Sequence, residues 1–129
     1  MTIRGMQQRW NPEIDFGLTY YLSGPMSGIP EYNYPAFEEA ARILRQTGLR
    51  IESPHENPVP PQQMSEADLW THMMELCIDQ MERCGGIILL KGWPQSRGSR
   101  QELQIAMQKD WPVWFYNDYQ LTNMNRSAA

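Results

Sequence analysis

The sequence predicts a small α/β domain, in which a doubly wound parallel sheet of about four strands carries helices on both faces. Segments with strand and helix character alternate along the chain, beginning and ending with a strand. The most apolar of them, Gly86–Leu90, is a continuous run of strand length, which is typical of a strand covered on both faces. Right-handed crossovers between such strands favour the order 2-1-3-4, with the loops after the first and third strands side by side.

The other strands and helices are predicted from periodicity and from end signals. Residues 18–22 form a β-rich run that leads into a glycine-containing loop. A helix follows from Pro35, with apolar residues at helical spacing and Gly48 as its stop. Four further elements complete the pattern: a short strand at 49–52, a long helix at 65–83, a helix at 99–108 and a strand at 111–116.

Length and composition indicate one compact domain, and the order of its elements is typical of the flavodoxin-like or Rossmann-like kind. With 129 residues, of which 41% are apolar, the chain can bury a core without disulfides. Residues 1–17 are polar and without clear period, so we expect them to form an N-terminal arm. Residues 117–129 are expected to be a polar tail that is mobile at its end. The domain assignment is therefore 1–129.

Charge and cysteine content exclude several classes of partner. A net charge of −4 argues against a nucleic-acid polymer, because such partners need clustered Lys and Arg. Cys77 and Cys84 fall on roughly one side of a predicted helix, where buried thiols are more plausible than a disulfide or a zinc site. No segment reaches the roughly 18 apolar residues that span a bilayer, and the start does not resemble a signal peptide. We expect a cytoplasmic protein with a small-molecule ligand and no metal.

The loop at residues 91–102, with the sequence KGWPQSRGSRQE, carries the strongest functional signal. In open α/β sheets, the loops at the carboxyl ends of the strands bind ligands. Gly98 allows a ligand close to the backbone, Ser96 and Ser99 offer hydroxyl groups, and the free N–H groups of a helix start favour an anion. Ser99 and Glu102 also fit an ordinary capping box, so the local pattern leaves both interpretations open.

A second candidate ligand loop follows the first strand. It reads Ser23-Gly24-Pro25-Met26-Ser27-Gly28 and continues into a segment with two tyrosines, Tyr32 and Tyr34. Tyrosine offers a ring face and a hydroxyl group, which suit a base or a sugar. Packing of these rings against their own domain is an equally good interpretation.

These motifs together resemble a known family. Residues 21–28, residues 33–37, the loop at 92–98 and Glu102 look like the DUF4406 group, which is similar to the nucleoside 2-deoxyribosyltransferases and the 2′-deoxynucleoside 5′-monophosphate N-glycosidases. The resemblance covers the chain from about residue 18 to residue 115. It implies cleavage or exchange of the bond between a nucleobase and C1′ of a deoxyribose, without a metal or cofactor.

The resemblance also implies a role for each motif. Glu102 lies where those enzymes have the glutamate that attacks C1′ and forms a covalent glycosyl intermediate, which water or another base then resolves. Ser96, Gly98 and Ser99 would hold a 5′-phosphate at the helix start. The residues expected to surround the sugar and the base are Tyr21, Ser23, Gly24, Pro25, Met26, Gly28, Tyr34 and Trp93.

Two positions depart from the family pattern. The enzymes usually carry an aspartate about two helical turns before the central strand and another at the start of that strand, whereas here these places hold Cys77 and Gly85. Asp79 is a candidate substitute, although a shift of two residues turns a helical side chain by about 200°, so a solvated Asp79 is the alternative. These departures motivate a second hypothesis, a non-catalytic protein that senses or sequesters a nucleotide-derived small molecule.

Self-association is a further expectation. In the resembling enzymes, a neighbouring subunit completes the site. The content of tryptophan and methionine is also high for one small domain to bury. Both observations favour a homodimer or a higher homo-oligomer.

Overall fold

The computed structural model describes residues 14–58 and 63–124. The strands in these residues are β1 (Thr19–Ser23), β2 (Arg50–Glu52), β3 (Gly86–Leu90), β4 (Val113–Asn117) and β5 (Gln120–Asn123). The α-helices are α1 (Tyr34–Gln46), α2 (Glu66–Met81) and α3 (Arg97–Gln108). Short 3-10 turns precede α1 and α3 and follow β2.

The strands form one sheet in the order β2-β1-β3-β4-β5. The first four strands pair in parallel, and Tyr21 of β1 lies between Glu52 of β2 and Ile87 of β3. The predicted α/β class and the predicted order 2-1-3-4 are confirmed. Because β1 and β3 are neighbours, the loops that follow them meet at the carboxyl edge of the sheet.

The predicted polar tail is wrong in part. Gln120–Asn123 forms β5 and pairs antiparallel with β4 at the sheet edge. Asp118 and Tyr119 make the tight turn between the two strands with φ values of 50° and 64°. β5 buries one apolar side chain, Leu121, so its polar sequence hides the strand. Residues 125–129 and most of the predicted arm lie outside the described residues, although Ile14 packs in the core.

Alternate residues of the central strands feed two cores, one on each face of the sheet. On one face, Tyr20, Leu22 and Ile88 pack with the apolar side of α1. On the other face, Tyr21, Ile87 and neighbouring residues pack with Met81 of α2 and Ala106 of α3. This division follows from the two-residue period of a β-strand.

Two further expectations concern cysteines and membranes. Cys77 is buried and Cys84 is half-buried, and both are free thiols. Within residues 14–58 and 63–124, no helix has the length and apolar character needed to cross a membrane.

Candidate functional site

A cavity of about 310 Å³ opens at the carboxyl edge of the sheet, and we call it the Glu102 cavity. One wall is the loop after β1, residues 24–27, and another is the start of α3, residues 95–99. The third wall belongs to α2 and consists of Trp70, Met73, Met74 and Cys77. Both loops predicted to bind a ligand therefore border one space.

Glu102 lies on this cavity with only 4% of its surface exposed. The Tyr21 hydroxyl donates a hydrogen bond of 2.9 Å to Oε2, and the Ser23 hydroxyl donates one of 2.6 Å to Oε1. Tyr21 and Ser23 are two residues apart on β1, so their side chains share the face that α3 covers. Tyr21 and Ser23 together therefore hold both carboxyl oxygens in place.

The environment of Glu102 changes its acidity. Burial raises the pKa of Glu102 from 4.5 to about 7, because the charged form loses contact with water. The hydrogen bonds from Ser23 and Tyr21 favour the charged form and offset part of this rise. The ionised fraction of Glu102 therefore changes most steeply near neutral pH.

Cys77 adjoins this group without acting as a second acid. Burial, together with the nearby Glu102 charge, raises the pKa of Cys77 to about 12. The thiol therefore stays protonated at neutral pH and is a poor nucleophile. Burial and the Glu102 charge also raise the pKa of Tyr21 well above its ordinary value, so Tyr21 remains a hydrogen-bond donor.

The start of α3 differs from the predicted start at Ser99. Ser96 is the N-cap, and its Oγ accepts a hydrogen bond of 3.1 Å from the backbone N–H of Ser99. Ser99 is instead the third residue of the helix, and Glu102 bonds to β1 rather than to the cap. The capping-box interpretation of Ser99 and Glu102 is therefore wrong.

Ser99 borders the Glu102 cavity instead of capping the helix. It lines the Glu102 cavity with 1% of its surface exposed, and its Oγ has no hydrogen-bond partner among the described residues. A buried hydroxyl without a partner costs about 1–3 kcal/mol, so a ligand atom that bonds to it would recover this energy. The first N–H groups of α3 also lack acceptors within the helix.

Gly98 is favoured by the close packing around it rather than by its backbone angles. It lies inside α3, and an added Cβ would stand 3.1 Å from Sδ of Met74 on α2. The residue therefore allows α2 and α3 to approach closely beside the cavity.

The sequence predicts no ligand-binding wall on α2, so the wall formed by Trp70, Met73, Met74 and Cys77 is a finding of the structure. The Arg97 guanidinium stacks over the Trp70 ring at 3.9 Å from its centroid and joins this wall to α3. The available signal was the spacing of Trp70, Met73 and Cys77, which places them on one side of a helix.

Several predicted ligand contacts lie elsewhere. Trp93 stacks on Phe115 at 5.9 Å between ring centroids and does not line the Glu102 cavity. Tyr34 stands edge-on to His55 and borders a small neighbouring pocket rather than the Glu102 cavity itself. Tyr21 is fully buried, so it holds Glu102 and cannot form a wall for a base. Gly28 borders an adjoining cavity.

Asp79 needs a correction as well. It is exposed on α2, two residues beyond Cys77, and it does not line the cavity. The structure places it as the solvated alternative describes, because a two-residue step turns the side chain to the other side of the helix. Gly85 precedes β3 and lies at the amino edge of the sheet, opposite the cavity. A carboxylate at that position would not reach Glu102.

Metal binding finds no support in the described part of the chain. No group of three or more His, Cys, Asp or Glu side chains there has the arrangement of a metal site.

The strand order and the flanking helices define a doubly wound α/β domain that is similar in fold to a 2-deoxyribosyltransferase. Its fold matches the solved structure of a 2-deoxyribosyltransferase from the psychrotolerant bacterium Bacillus psychrosaccharolyticus with a TM-score of 0.58. The match covers 78% of this chain and 87% of that chain at 16% sequence identity, so it shows the fold alone.

The chain belongs to the DUF4406 family, which is described as a domain of unknown function. The family model matches residues 18–115, which include every element from β1 into β4. No curated protein matches the chain.

Proposed function

We propose that the protein cleaves or exchanges the N-glycosidic bond of a deoxynucleoside 5′-monophosphate, with Glu102 as the nucleophile. One observation carries the proposal: a buried carboxyl group borders a ligand-sized cavity, with each oxygen held by a hydroxyl of β1. The similarity of fold to a 2-deoxyribosyltransferase supports the same reaction class.

The reaction needs only Glu102 and a second nucleophile. A Glu102 oxygen forms a bond to C1′ while the bond from C1′ to the base nitrogen breaks, and its electron pair leaves with the base. Water or another base then attacks C1′ from the side opposite Glu102, which releases the Glu102 carboxylate, and the proton that the attacking group loses balances the one that the departed base takes up. A carboxylate stabilises the positive charge that develops at C1′ in both steps.

Tyr21 and Ser23 position the nucleophile. Each donates to one carboxyl oxygen, so the group cannot rotate freely, and each bond favours the ionised form that attacks C1′. Such preorganisation raises the rate without rearrangement during the reaction.

The start of α3 would hold the 5′-phosphate. The unpartnered hydroxyl of Ser99, the capping hydroxyl of Ser96 and the free N–H groups of the first turn border the same cavity. Anions are favoured at this end of a helix. The apolar wall of Trp70, Met73 and Met74 would face the base.

A second candidate function is binding without catalysis. Glu102 is the only carboxyl group among the described residues that line the cavity. Cys77 stands where the resembling enzymes have an aspartate. The thiol keeps its proton near neutral pH, so the leaving base would have to take a proton from water. A protein that senses or sequesters a nucleotide would not need that proton transfer.

Incubation of the full chain with each deoxynucleoside 5′-monophosphate, followed by chromatography, separates the two functions. Catalysis predicts release of free base by the wild type and loss of that release in Glu102→Ala. Binding without release in the wild type would favour the second function. Equal release by Glu102→Ala would remove the proposed mechanism.

We also propose that the protein forms a homodimer or a higher homo-oligomer. Ile78 on α2 and Met107 on α3 are large apolar side chains that remain exposed, and a second copy could cover them. Light scattering at micromolar concentration tests this, and a monomer would contradict it.

A further inference from the structure

A second cavity adjoins the Glu102 cavity, and the proposed function does not use it. This outer cavity has a volume of about 600 Å³ and shares Ser27, Trp70, Met73 and Arg97 with the first. The two spaces therefore meet at the Trp70–Arg97 pair. A cavity of roughly 300–1,000 Å³ can hold a whole drug-sized ligand, so two adjoining cavities suit a ligand with two bulky parts.

Arg97 supplies the charge at this junction. Its exposed guanidinium stacks over Trp70 and follows directly after the N-cap of α3. A phosphate group that crosses from one cavity to the other would pass both the helix start and the guanidinium. Arginine binds phosphate oxygens well because its N–H groups form a fork.

The outer cavity also presents a second aromatic ring, Tyr32. Tyr32 lies in a run of left-handed residues, with φ values of 56° for Glu31, 53° for Tyr32 and 61° for Asn33. Non-glycine residues rarely adopt this conformation, and where it persists it is often found at ligand clamps. Gly28 also borders the outer cavity, and an added Cβ there would meet nothing within 4 Å, so the cavity is open at that point.

We propose that the outer cavity binds a second aromatic group of the same ligand, joined through the 5′-phosphate to the nucleoside in the Glu102 cavity. The ligand class is therefore a dinucleotide, and this inference rests on the proposed function for its first half. Tyr32 offers a ring face for stacking there, while Trp70 lies between the two cavities. Glu66 borders the outer cavity and disfavours additional free phosphates there, so an uncharged second nucleoside fits better than a triphosphate.

Calorimetry with three related probes tests the inference. The probes are a deoxynucleoside 5′-monophosphate, its phosphate methyl ester, and the dinucleotide in which a second nucleoside replaces the methyl group. The methyl ester matches the charge of the dinucleotide, so their difference isolates the second nucleoside. We expect the dinucleotide to bind at least about tenfold more tightly than the methyl ester.

Two asparagine variants test which residue provides the gain in affinity for the dinucleotide. Tyr32→Asn removes the ring, and asparagine tolerates the left-handed backbone, so the turn is retained. Tyr119→Asn is the matched control, because Tyr119 is an exposed tyrosine at φ 64° that lines neither cavity. The gain should disappear in Tyr32→Asn and persist in Tyr119→Asn, while the affinity for the monophosphate stays unchanged in both.

The outcomes separate this inference from the proposed function. If the monophosphate binds but the dinucleotide matches the methyl ester, the inference falls and the proposed function stands. The same result would follow if a second copy of the chain covered the outer cavity. A gain that survives Tyr32→Asn also overturns the inference. Absence of binding by all three probes would overturn both.

Discussion

The two faces of β1 use neighbouring tyrosines in different ways. Tyr20 faces α1 and Tyr21 faces α2 and α3, and both side chains are fully buried. The Tyr20 hydroxyl donates a bond of 3.0 Å to the backbone carbonyl of Asp15, which always accepts. The Tyr21 hydroxyl donates to the carboxyl group of Glu102, which can change its charge.

Burial therefore does not distinguish a structural residue from a functional one. It raises the pKa of Tyr20 to about 12 and raises that of Tyr21 well above its ordinary value. The difference lies in the partner and its surroundings. Ser23, Ser99 and Glu102 are buried polar side chains that gather at one edge of the sheet, beside a cavity. The α1 face near Tyr20 is closed by apolar packing.

Glu102→Gln should give the largest effect on the pH dependence of stability. The folded-state pKa of Glu102 is about 7 against 4.5 unfolded, so the folded protein binds the extra proton. The stabilisation of the folded state by this proton is fully present below pH 4.5 and is lost as the pH rises through 7. The free energy of unfolding falls by about 3 kcal/mol over this range, at 1.36 kcal/mol per pKa unit. Denaturant unfolding between pH 4.5 and 8 should show this decline in the wild type and a weaker one in the variant.

The proposed reaction should respond to pH in the opposite direction. Attack on C1′ requires ionised Glu102, so the rate of base release should rise with pH and level off above about 7. A rate that falls over this range would contradict the assigned role. As the pH rises, the free energy of unfolding would therefore fall while the rate of base release increases.

Tyr21→Phe and Tyr20→Phe form the next comparison. Tyr21→Phe removes a donor to a charged group, so we expect a loss of about 1.5–3 kcal/mol in transition-state stabilisation, roughly 10- to 150-fold in rate. It should also move the midpoint of the pH–rate profile upward, because this bond lowers the pKa of Glu102. Tyr20→Phe should lower the free energy of unfolding by about 1 kcal/mol and leave the midpoint unchanged. Equal midpoints in both variants would remove the distinction.

Much of the fold could be predicted because each element has a local signal. The apolar run at Gly86–Leu90 and the helix end at Gly48 are examples, and they lead to the correct strand order. β5 was missed because it buries only Leu121, too little for a two-residue period to appear. The start of α3 was placed at Ser99 because two serines three residues apart both suit an N-cap.

The candidate site was predicted less completely, because its geometry depends on contacts between distant segments. The sequence indicates Glu102 and the two loops, and the structure brings them together. The sequence does not indicate that Tyr21 bonds to Glu102, since the two residues are 81 positions apart. The family resemblance assigns Trp93 to the ligand, whereas in the structure Phe115 provides a stacking partner for Trp93 within the domain.

The contrast between structural and functional polar groups recurs at the start of α3. Ser99→Ala removes a buried hydroxyl that has no partner, so the free energy of unfolding should stay the same or rise by about 1 kcal/mol. If this hydroxyl binds the 5′-phosphate, the affinity for a deoxynucleoside 5′-monophosphate should fall by about 1–3 kcal/mol. Calorimetry with the unphosphorylated nucleoside is the control and should show no change. A variant that loses stability as well would mark Ser99 as structural.

Ser96→Ala should combine both kinds of effect at a smaller size. Ser96 caps α3 through the N–H of Ser99, so its removal should lower the free energy of unfolding by about 1 kcal/mol. The affinity for the monophosphate should fall by no more than about 1 kcal/mol, because the released N–H of Ser99 can itself donate to the phosphate. Ser65→Ala is the matched control, since Ser65 caps α2 in the same way and lies outside the cavity. Thermal unfolding should show similar losses of stability in the two variants. Only Ser96→Ala should weaken binding of the monophosphate. Equal affinities in the two variants would restrict the role of Ser96 to capping.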